Sequence, residues 1–424
     1  MKIVIVGGGW AGCAAALAAV KKGAEVVLLE RADMLLGTGL VGGIFRNNGR
    51  FTAAEEMIAM GGGELFKIMD AVALHRAVDF PGHRHASLYN VALIEPVVKN
   101  KLLEHGVRLL LQARMTDVEM DGRRIAAVVV KQGEERVRIE GRVFVDTTGT
   151  AGPPANCNKY GNGCAMCILR CHAFGGRVSL AAKAGVKEVA SKSGGRVGAM
   201  SGSCKLHKAS LSPAMVEELD RKGVVVVPLP QQALIKGKLA IKACQQYALP
   251  EFENNLVLLN TGHAKLMTPF FPLEILRMVP GFEHARYEDP YAGGLGNSIR
   301  FCSMSPRDDV LKVVGVDNLF CAGEKAGPLV GHTEAVCTGT VAGYNAVCSI
   351  RGEAPLRLPE GTAVGDAIGF VRRQMATEEG LGLKYTFSGS VYFQRMQELG
   401  LYEMDPVRIA ERVASMGLEG VFAG

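Results

Sequence analysis

Four of the chain's eleven cysteines, Cys157, Cys164, Cys167 and Cys171, fall within fifteen residues as C-x6-C-x2-C-x3-C. Thiolates so grouped can surround one soft metal or cluster, because each sulfur carries charge that a cation neutralises. Gly161, Gly163, Gly175 and Gly176 would let the backbone turn around such a site and offer N–H groups to the sulfurs. Three chemistries fit: a [4Fe–4S] cluster on all four thiols, a tetrathiolate zinc site, or a redox dithiol at CAMC (164 to 167). Zinc ligands more typically come as two separated pairs, and a dithiol leaves Cys157 and Cys171 without a role.

Other groups are weaker signals. Cys204 and Cys244 are candidate nucleophiles, although a free cysteine more often behaves as a small buried hydrophobe; Cys13, Cys321, Cys337 and Cys348 read as core. His83 and His85 flank Arg84 in FPGHRHASLYN, where they suit an anionic substrate or a metal, with a solvated loop as the favoured reading. Arg300, Arg307, Asp308 and Asp309 either border a substrate pocket or form ordinary ion pairs.

The elements that would position this chemistry begin at the first residue. KIVIVGGGWAGCAAALAAVKKGAEVVLLER reads as a strand at Ile3 to Val6, a glycine turn, a small-residue helix over about Ala11 to Lys22, and a strand at Glu25 to Leu29. Gly7, Gly9 and Gly12 fit G-x-G-x-x-G: a tight turn, close backbone approach to a pyrophosphate, and close helix–strand packing. The helix amino-terminus then faces the phosphates. Glu30 is placed to accept ribose hydroxyls, and its charge disfavours a 2′-phosphate, which excludes NADP and leaves FAD or NAD.

Three segments favour FAD. VFVDTTG (Val143 to Gly149) is a strand ending in Thr-Gly, similar to a signature near the adenosine in many flavoproteins with two dinucleotide folds. GVDNLFCAGE (Gly315 to Glu324) feeds a glycine turn and a helix at His332 to Val347, which resembles the segment that closes over a flavin. GTGLVGGIFRNNGR (Gly37 to Arg50) lies where such proteins thread a loop along the cofactor. Gly43, Gly149, Gly323 and Glu324 thereby join the expected cofactor-binding set. The helix at His332 could direct its amino-terminus at the flavin, with His332 or Lys325 as the group that tunes it or donates a proton. Gly339 and Gly343 share one helical face and would admit a neighbouring helix.

With 424 residues, 48% hydrophobic and 21% charged, the chain can build a large core across two or three domains. A net charge of +6 suits anionic ligands, but no Lys/Arg block has the density of a nucleic-acid arm. No apolar run is long enough to span a membrane, no signal peptide opens the chain, and the cysteine count is odd; together these lead to an expected cytoplasmic location.

The amino-terminal fingerprint, GGIFRNNGRFTAAEEMIAMGGGELFKIMD and LFCAGEKAGPLVGHTEAVCTGTVAGYNA together resemble the FAD-dependent family containing glucose-inhibited division protein A and the folate/FAD-dependent tRNA uridine methyltransferases. The resemblance implies an α/β fold with a doubly wound, Rossmann-type FAD-binding domain (1–150 and 315–350) interrupted by an inserted α+β substrate domain (151–314). Residues 351–424 read as a carboxy-terminal helical segment. An FAD-dependent oxidoreductase follows, acting on an unnamed small molecule or a redox partner protein. RNA uridine methylation and an electron-transfer subunit are the alternatives; RNA is the less favoured partner, and a homo-oligomer is compatible. A flavin beside the cysteines favours [4Fe–4S] over zinc, since a two-electron carrier is often coupled to one-electron carriers.

Overall fold

The computed structural model describes residues 1–149, 170–190, 199–200, 203–235, 237, 245–268, 271–288, 299–300 and 303–424. Its centre is a parallel sheet in the order β5-β4-β1-β2-β3, with β1 at Lys2–Val6, β2 at Glu25–Leu29, β3 at Arg108–Leu110, β4 at Val143–Asp146 and β5 at Leu319–Cys321. Every pairing in it is parallel, with Ile5 beside both Leu28 and Val145. The inner strands carry runs of Ile, Val and Leu with no polar alternation, as expected of strands covered on both faces.

Helix α1 (Trp10–Lys21) follows β1, and helix α2 (His332–Arg351) follows β5. They pack backbone against backbone: a Cβ on Gly339 would overlap the Ala11 carbonyl and one on Gly343 that of Ala15. The shared face expected of these glycines is therefore the α1 contact. It is made of small residues on both sides, and a side chain larger than hydrogen would force the helices apart. Cys13, Cys321, Cys337 and Cys348 are buried in this layer, as the sequence suggested.

Among the described residues, three larger sheets and two two-stranded pairs (189–190 with 303–304, 199–200 with 299–300) accompany the parallel one. Residues 113–121, 124–132 and 135–140 form an antiparallel meander, and 44–45 joins the hairpin of 73–80 and 83–89. A four-stranded antiparallel sheet, in the order 204–206, 264–266, 255–260 and 224–228, has its own core around Leu206, Leu258, Phe271 and Phe282. The expected loop at His83 and His85 is thus a hairpin. His83 is 2% exposed between the rings of Phe80 and Tyr247, with Nδ1 3.0 Å from Asn47 Nδ2 and Nε2 3.0 Å from the Gln246 carbonyl. Its polar atoms are consumed by packing, so it is a core histidine.

The carboxy-terminal helices at Ala363–Gln374, Ser390–Glu398 and Pro406–Ser415 dock onto the helix at Gly49–Ala59. Glu56 is the joint: its carboxylate accepts the N–H groups of Ala363 and Val364 and pairs with Arg412 at 2.9 Å. A fully buried carboxylate is tolerable there because it meets a helix amino-terminus and a guanidinium together. Burial still pushes its titration upward.

Candidate functional site

The turn from β1 to α1 separates three glycines by what requires them. Gly7 has φ +109°, and a Cβ there would collide with the Thr147 carbonyl; one on Gly12 would overlap the Gly7 carbonyl oxygen. Packing within the chain explains both. A Cβ on Gly9 would meet none of the described residues within 4 Å, and Gly9 lies on the wall of a cleft. Its missing side chain keeps open a space that the described residues do not fill. Gly9 is also the amino-terminal cap of α1, with no side chain capping the helix, so the first-turn N–H groups are left for an anion.

The strand end at Asp146–Gly149 braces this turn. Thr147 Oγ1 donates to the carbonyls of Val6 at 2.9 Å and Gly7 at 2.7 Å, and Thr148 Oγ1 donates to Asp146 Oδ1 at 2.7 Å. Glu30, at the end of β2, accepts the N–H of Gly8 at 2.8 Å and of Ala32 at 2.9 Å on separate oxygens. Each carboxylate oxygen keeps a further lone pair for a hydroxyl donor, and the two amides fix the direction in which it points.

The cleft encloses about 1010 Å³, a volume that includes space open to solvent. One group of lining residues is Glu30, Arg31, Arg114 and Arg177. Arg31 donates to the Gly175 carbonyl at 2.5 Å and Arg114 to that of Gly176 at 2.9 Å, so this group joins β2, the meander and the chain around 175–178. The other group is Trp10, Gly39, Gly331 and His332. The His332 ring lies 6.0 Å from that of Trp10, and its Nδ1 is 3.2 Å from the Tyr89 hydroxyl, whose ionisation burial pushes up. Trp10 Nε1 is buried with no hydrogen-bond partner among the described residues, a donor left over at the cleft wall.

Of the expected site residues, Gly7, Gly9, Glu30, Gly149, Gly323, Glu324 and His332 line this cleft, and Gly12 packs beneath it. Two do not reach it. Gly43, at φ +86°, packs against Thr261 and Val91 behind the 37–43 loop. Lys325 is fully buried; its Nζ donates to the Glu188 carboxylate and, at 3.2 Å, to the Ser303 carbonyl. Glu188 is held below the usual carboxylate range, because the Lys325 charge and hydrogen bonds from Lys325, Ser179 and Ser303 outweigh its burial. Lys325 is therefore corrected from a proton donor to half of a buried ion pair. Adjacent residues of a single 3₁₀ turn, Gly323–Lys325, send Glu324 to the cleft and Lys325 away from it.

Arg307 likewise serves structure: buried, and lowered to about 10 by that burial, it donates to the Ala326 carbonyl at 2.8 Å. Asp309 takes the ion-pair alternative, with Arg372 at 2.5 Å and Arg357 at 3.1 Å. The sequence reading missed Trp10, Tyr89, Arg31, Arg114 and Arg177. Trp10 stands next to Gly9 in GGGWAG, a signal that was available; Arg114 and Arg177 arrive from distant elements, and no local pattern announces them. Cys171 is described and part-exposed, whereas Cys157, Cys164, Cys167 and Cys244 lie outside the described residues. Among the described residues, no group of three or more His, Cys, Asp or Glu side chains is arranged to hold a metal. None of their helices is long and apolar enough to cross a membrane.

An FAD-sized dinucleotide fits this arrangement: an uncapped helix start for the pyrophosphate, a fixed carboxylate for a ribose, an open wall at Gly9 and an orphan indole N–H. Comparison with known proteins agrees. The family model for FAD dependent oxidoreductases matches residues 2–152, and that for glucose inhibited division protein A matches residues 251–354. The tRNA uridine 5-carboxymethylaminomethyl modification enzyme MnmG of Nitratiruptor sp. is 33% identical over 102 residues, 23% of this chain and 15% of that protein. Methylenetetrahydrofolate–tRNA-(uracil-5-)-methyltransferase TrmFO of Bacillus pumilus is 34% identical over 92 residues, 22% of this chain and 20% of that protein. These matches thus span about a fifth or less of either relative's length. The form II crystal structure of Aquifex aeolicus GidA superposes with a TM-score of 0.71 at 16% identity, covering 99% of this chain and 73% of that one, which shows a shared fold. The chain has a parallel-sheet dinucleotide fold with carboxy-terminal helices, and over parts of its length it is similar to the FAD dependent oxidoreductase family, to glucose inhibited division protein A and to TrmFO.

Proposed function

We propose that the chain binds FAD in the cleft between α1 and α2 and works as an FAD-dependent oxidoreductase. The observation that carries this reading is Gly9, a glycine that none of the described residues requires, opening onto the cleft at an uncapped helix amino-terminus. FAD would supply the ability to accept or return an electron pair. The chain's own residues do the rest. The first-turn N–H groups of α1 hold the pyrophosphate, Glu30 orients a ribose, and Trp10 and Leu36 help to wall the cleft from water. His332, on the first turn of α2 and beside the Tyr89 hydroxyl, is the group positioned to hold or move a proton at its imidazole.

Two finer readings accompany it. The C-x6-C-x2-C-x3-C motif supports one site on Cys157, Cys164, Cys167 and Cys171, and its place in sequence beside a flavin-binding fold favours a [4Fe–4S] cluster over zinc there, passing single electrons to a partner. The names of the relatives support tRNA as the alternative substrate. Anaerobic purification tests the set together. The expected result is stoichiometric FAD released on denaturation and about four irons per chain. A colourless protein that takes up no added FAD would refute the main reading; FAD with one zinc and no iron would refute the cluster alone.

A further inference from the structure

Beyond the cleft, an unused concentration of charge sits where the four-stranded sheet meets the 37–43 loop. Lys205 and Lys265 are direct partners in antiparallel register, on strands Cys204–Leu206 and Ala264–Leu266. Directly opposed like charges destabilise a sheet, and these two are also drawn inward. Lys265 is 5% exposed, and its Nζ donates to the carbonyls of Val41, at 2.5 Å, and Gly42. Lys205 is part-buried and donates to the Leu40 carbonyl at 3.4 Å. Burial lowers its titration against the opposing pull of Glu288.

The turn entering the second of these strands adds two unmet polar atoms. Thr261 is fully buried and its Oγ1 has no hydrogen-bond partner among the described residues; His263 Nε2 is buried and has none among them either. Burial, and then the charges of Lys205, Lys265 and Lys208, hold the His263 imidazole down to about 3, so it is neutral at physiological pH. Two ammonium groups and two unmet polar atoms gathered in one place raise a cost that a bound anion would remove.

This cluster abuts the cleft. Gly42, whose carbonyl receives Lys265, is so close to His332 that a Cβ there would overlap the imidazole ring. A polynucleotide backbone needs a line of exposed cations, whereas these are largely buried and converge on a small volume. A single compact oxyanion matches them better.

We propose that Lys205, Lys265, Thr261 and His263 form an oxyanion subsite, taking the carboxylate or phosphate of a small-molecule substrate whose reacting end lies toward His332. The role as a substrate subsite rests on the FAD reading; the binding of an oxyanion does not. The 37–43 loop, held by both lysines, would then couple occupancy of the subsite to the cleft wall at Gly37 and Gly39.

The test uses the full chain with and without added FAD, titrated with inorganic phosphate and, separately, acetate replacing chloride at constant ionic strength. Wild-type protein is expected to show a saturable rise in Tm and a movement of the His263 imidazole resonances. Lys205→Met should weaken the preferred anion by about tenfold or more, Lys205→Arg should retain it, and Lys222→Met, which removes a cation paired with Glu218 at 2.6 Å, should behave as wild type. Phosphate bound at the glycine turn cancels in the comparison, because Lys205→Met leaves that turn intact. Stronger binding of phosphate or of acetate identifies the oxyanion. No saturable movement of His263 with either anion in the wild type, or unchanged binding in Lys205→Met, overturns the proposal. Anion binding in a protein that takes up no FAD would leave the subsite standing and refute only its link to flavin chemistry.

Discussion

The parallel sheet and the four-stranded antiparallel sheet build ligand-facing chemistry in opposite ways. Around β1 and α1 the working atoms are backbone amides, exposed by glycine and by the absence of a helix cap, and the carboxylate at the end of β2, Glu30, is tied to amides on both oxygens. In the four-stranded sheet the working atoms are side chains, Lys205 and Lys265, brought together by strand register across sixty positions of sequence. Backbone chemistry needs fixed local spacing, because the turn, cap and helix start are consecutive. Side-chain chemistry needs long-range pairing, which no local pattern records.

The harshest way to break the first region is Gly12→Val. Its Cβ would overlap the Gly7 carbonyl oxygen with Thr147 Oγ1 close by, so β1 and α1 would have to separate. Overpacking of this kind costs about 1–3 kcal/mol or more, and here the obstacle is backbone, which has no rotamer to yield. Loss of soluble, cooperatively unfolding protein is expected in expression and thermal melts; a variant melting like wild type would show that the close packing is not needed.

The same division explains what could be read in the sequence. The βαβ unit, the DTTG strand end and the α2 glycines were legible because each is a local pattern whose physical reason lies within a few residues. His83 was misread as a loop residue because FPGHRH carries turn residues, and the stacking of Phe80 and Tyr247 on its ring depends on a strand pairing and a segment more than 160 positions away. Lys325 was misread for a related reason. Its place in the loop was right, but the direction of its side chain is set by Glu188 and Ser303, neither of which the sequence ties to it.

Lys325→Met probes a contact between these two regimes, a buried ion pair formed at long range beside the parallel sheet. Removing one partner of such a pair strands the other, at a cost of about 3–5 kcal/mol. The pH dependence carries the sign. In the wild type Glu188 titrates below the ordinary carboxylate range, so its contribution is present above that range and lost as pH falls through the depressed value. In the variant the stranded carboxylate should titrate above that range instead, so the deficit is greatest near neutrality and shrinks toward mildly acidic pH. Chemical denaturation across that interval checks it, and Glu188→Gln in the Lys325→Met background should recover part of the loss. A deficit independent of pH would mean that packing, not charge, holds Lys325.

The smallest and most discriminating change is Gly9→Ala. One methyl group separates it from wild type, and that methyl meets no atom of the described residues within 4 Å. With φ at −69° the backbone accepts alanine without strain, so the Tm of the FAD-free protein should be unchanged within measurement. The methyl projects instead into the space assigned to the pyrophosphate, and the dissociation constant for FAD should rise by about tenfold or more, some 1.4 kcal/mol. Gly12→Val damages the fold whether or not a ligand binds, whereas Gly9→Ala is silent unless one does. Equal FAD affinity in Gly9→Ala and wild type would place the pyrophosphate elsewhere, and would remove the contrast between glycines the chain needs and the glycine its ligand needs.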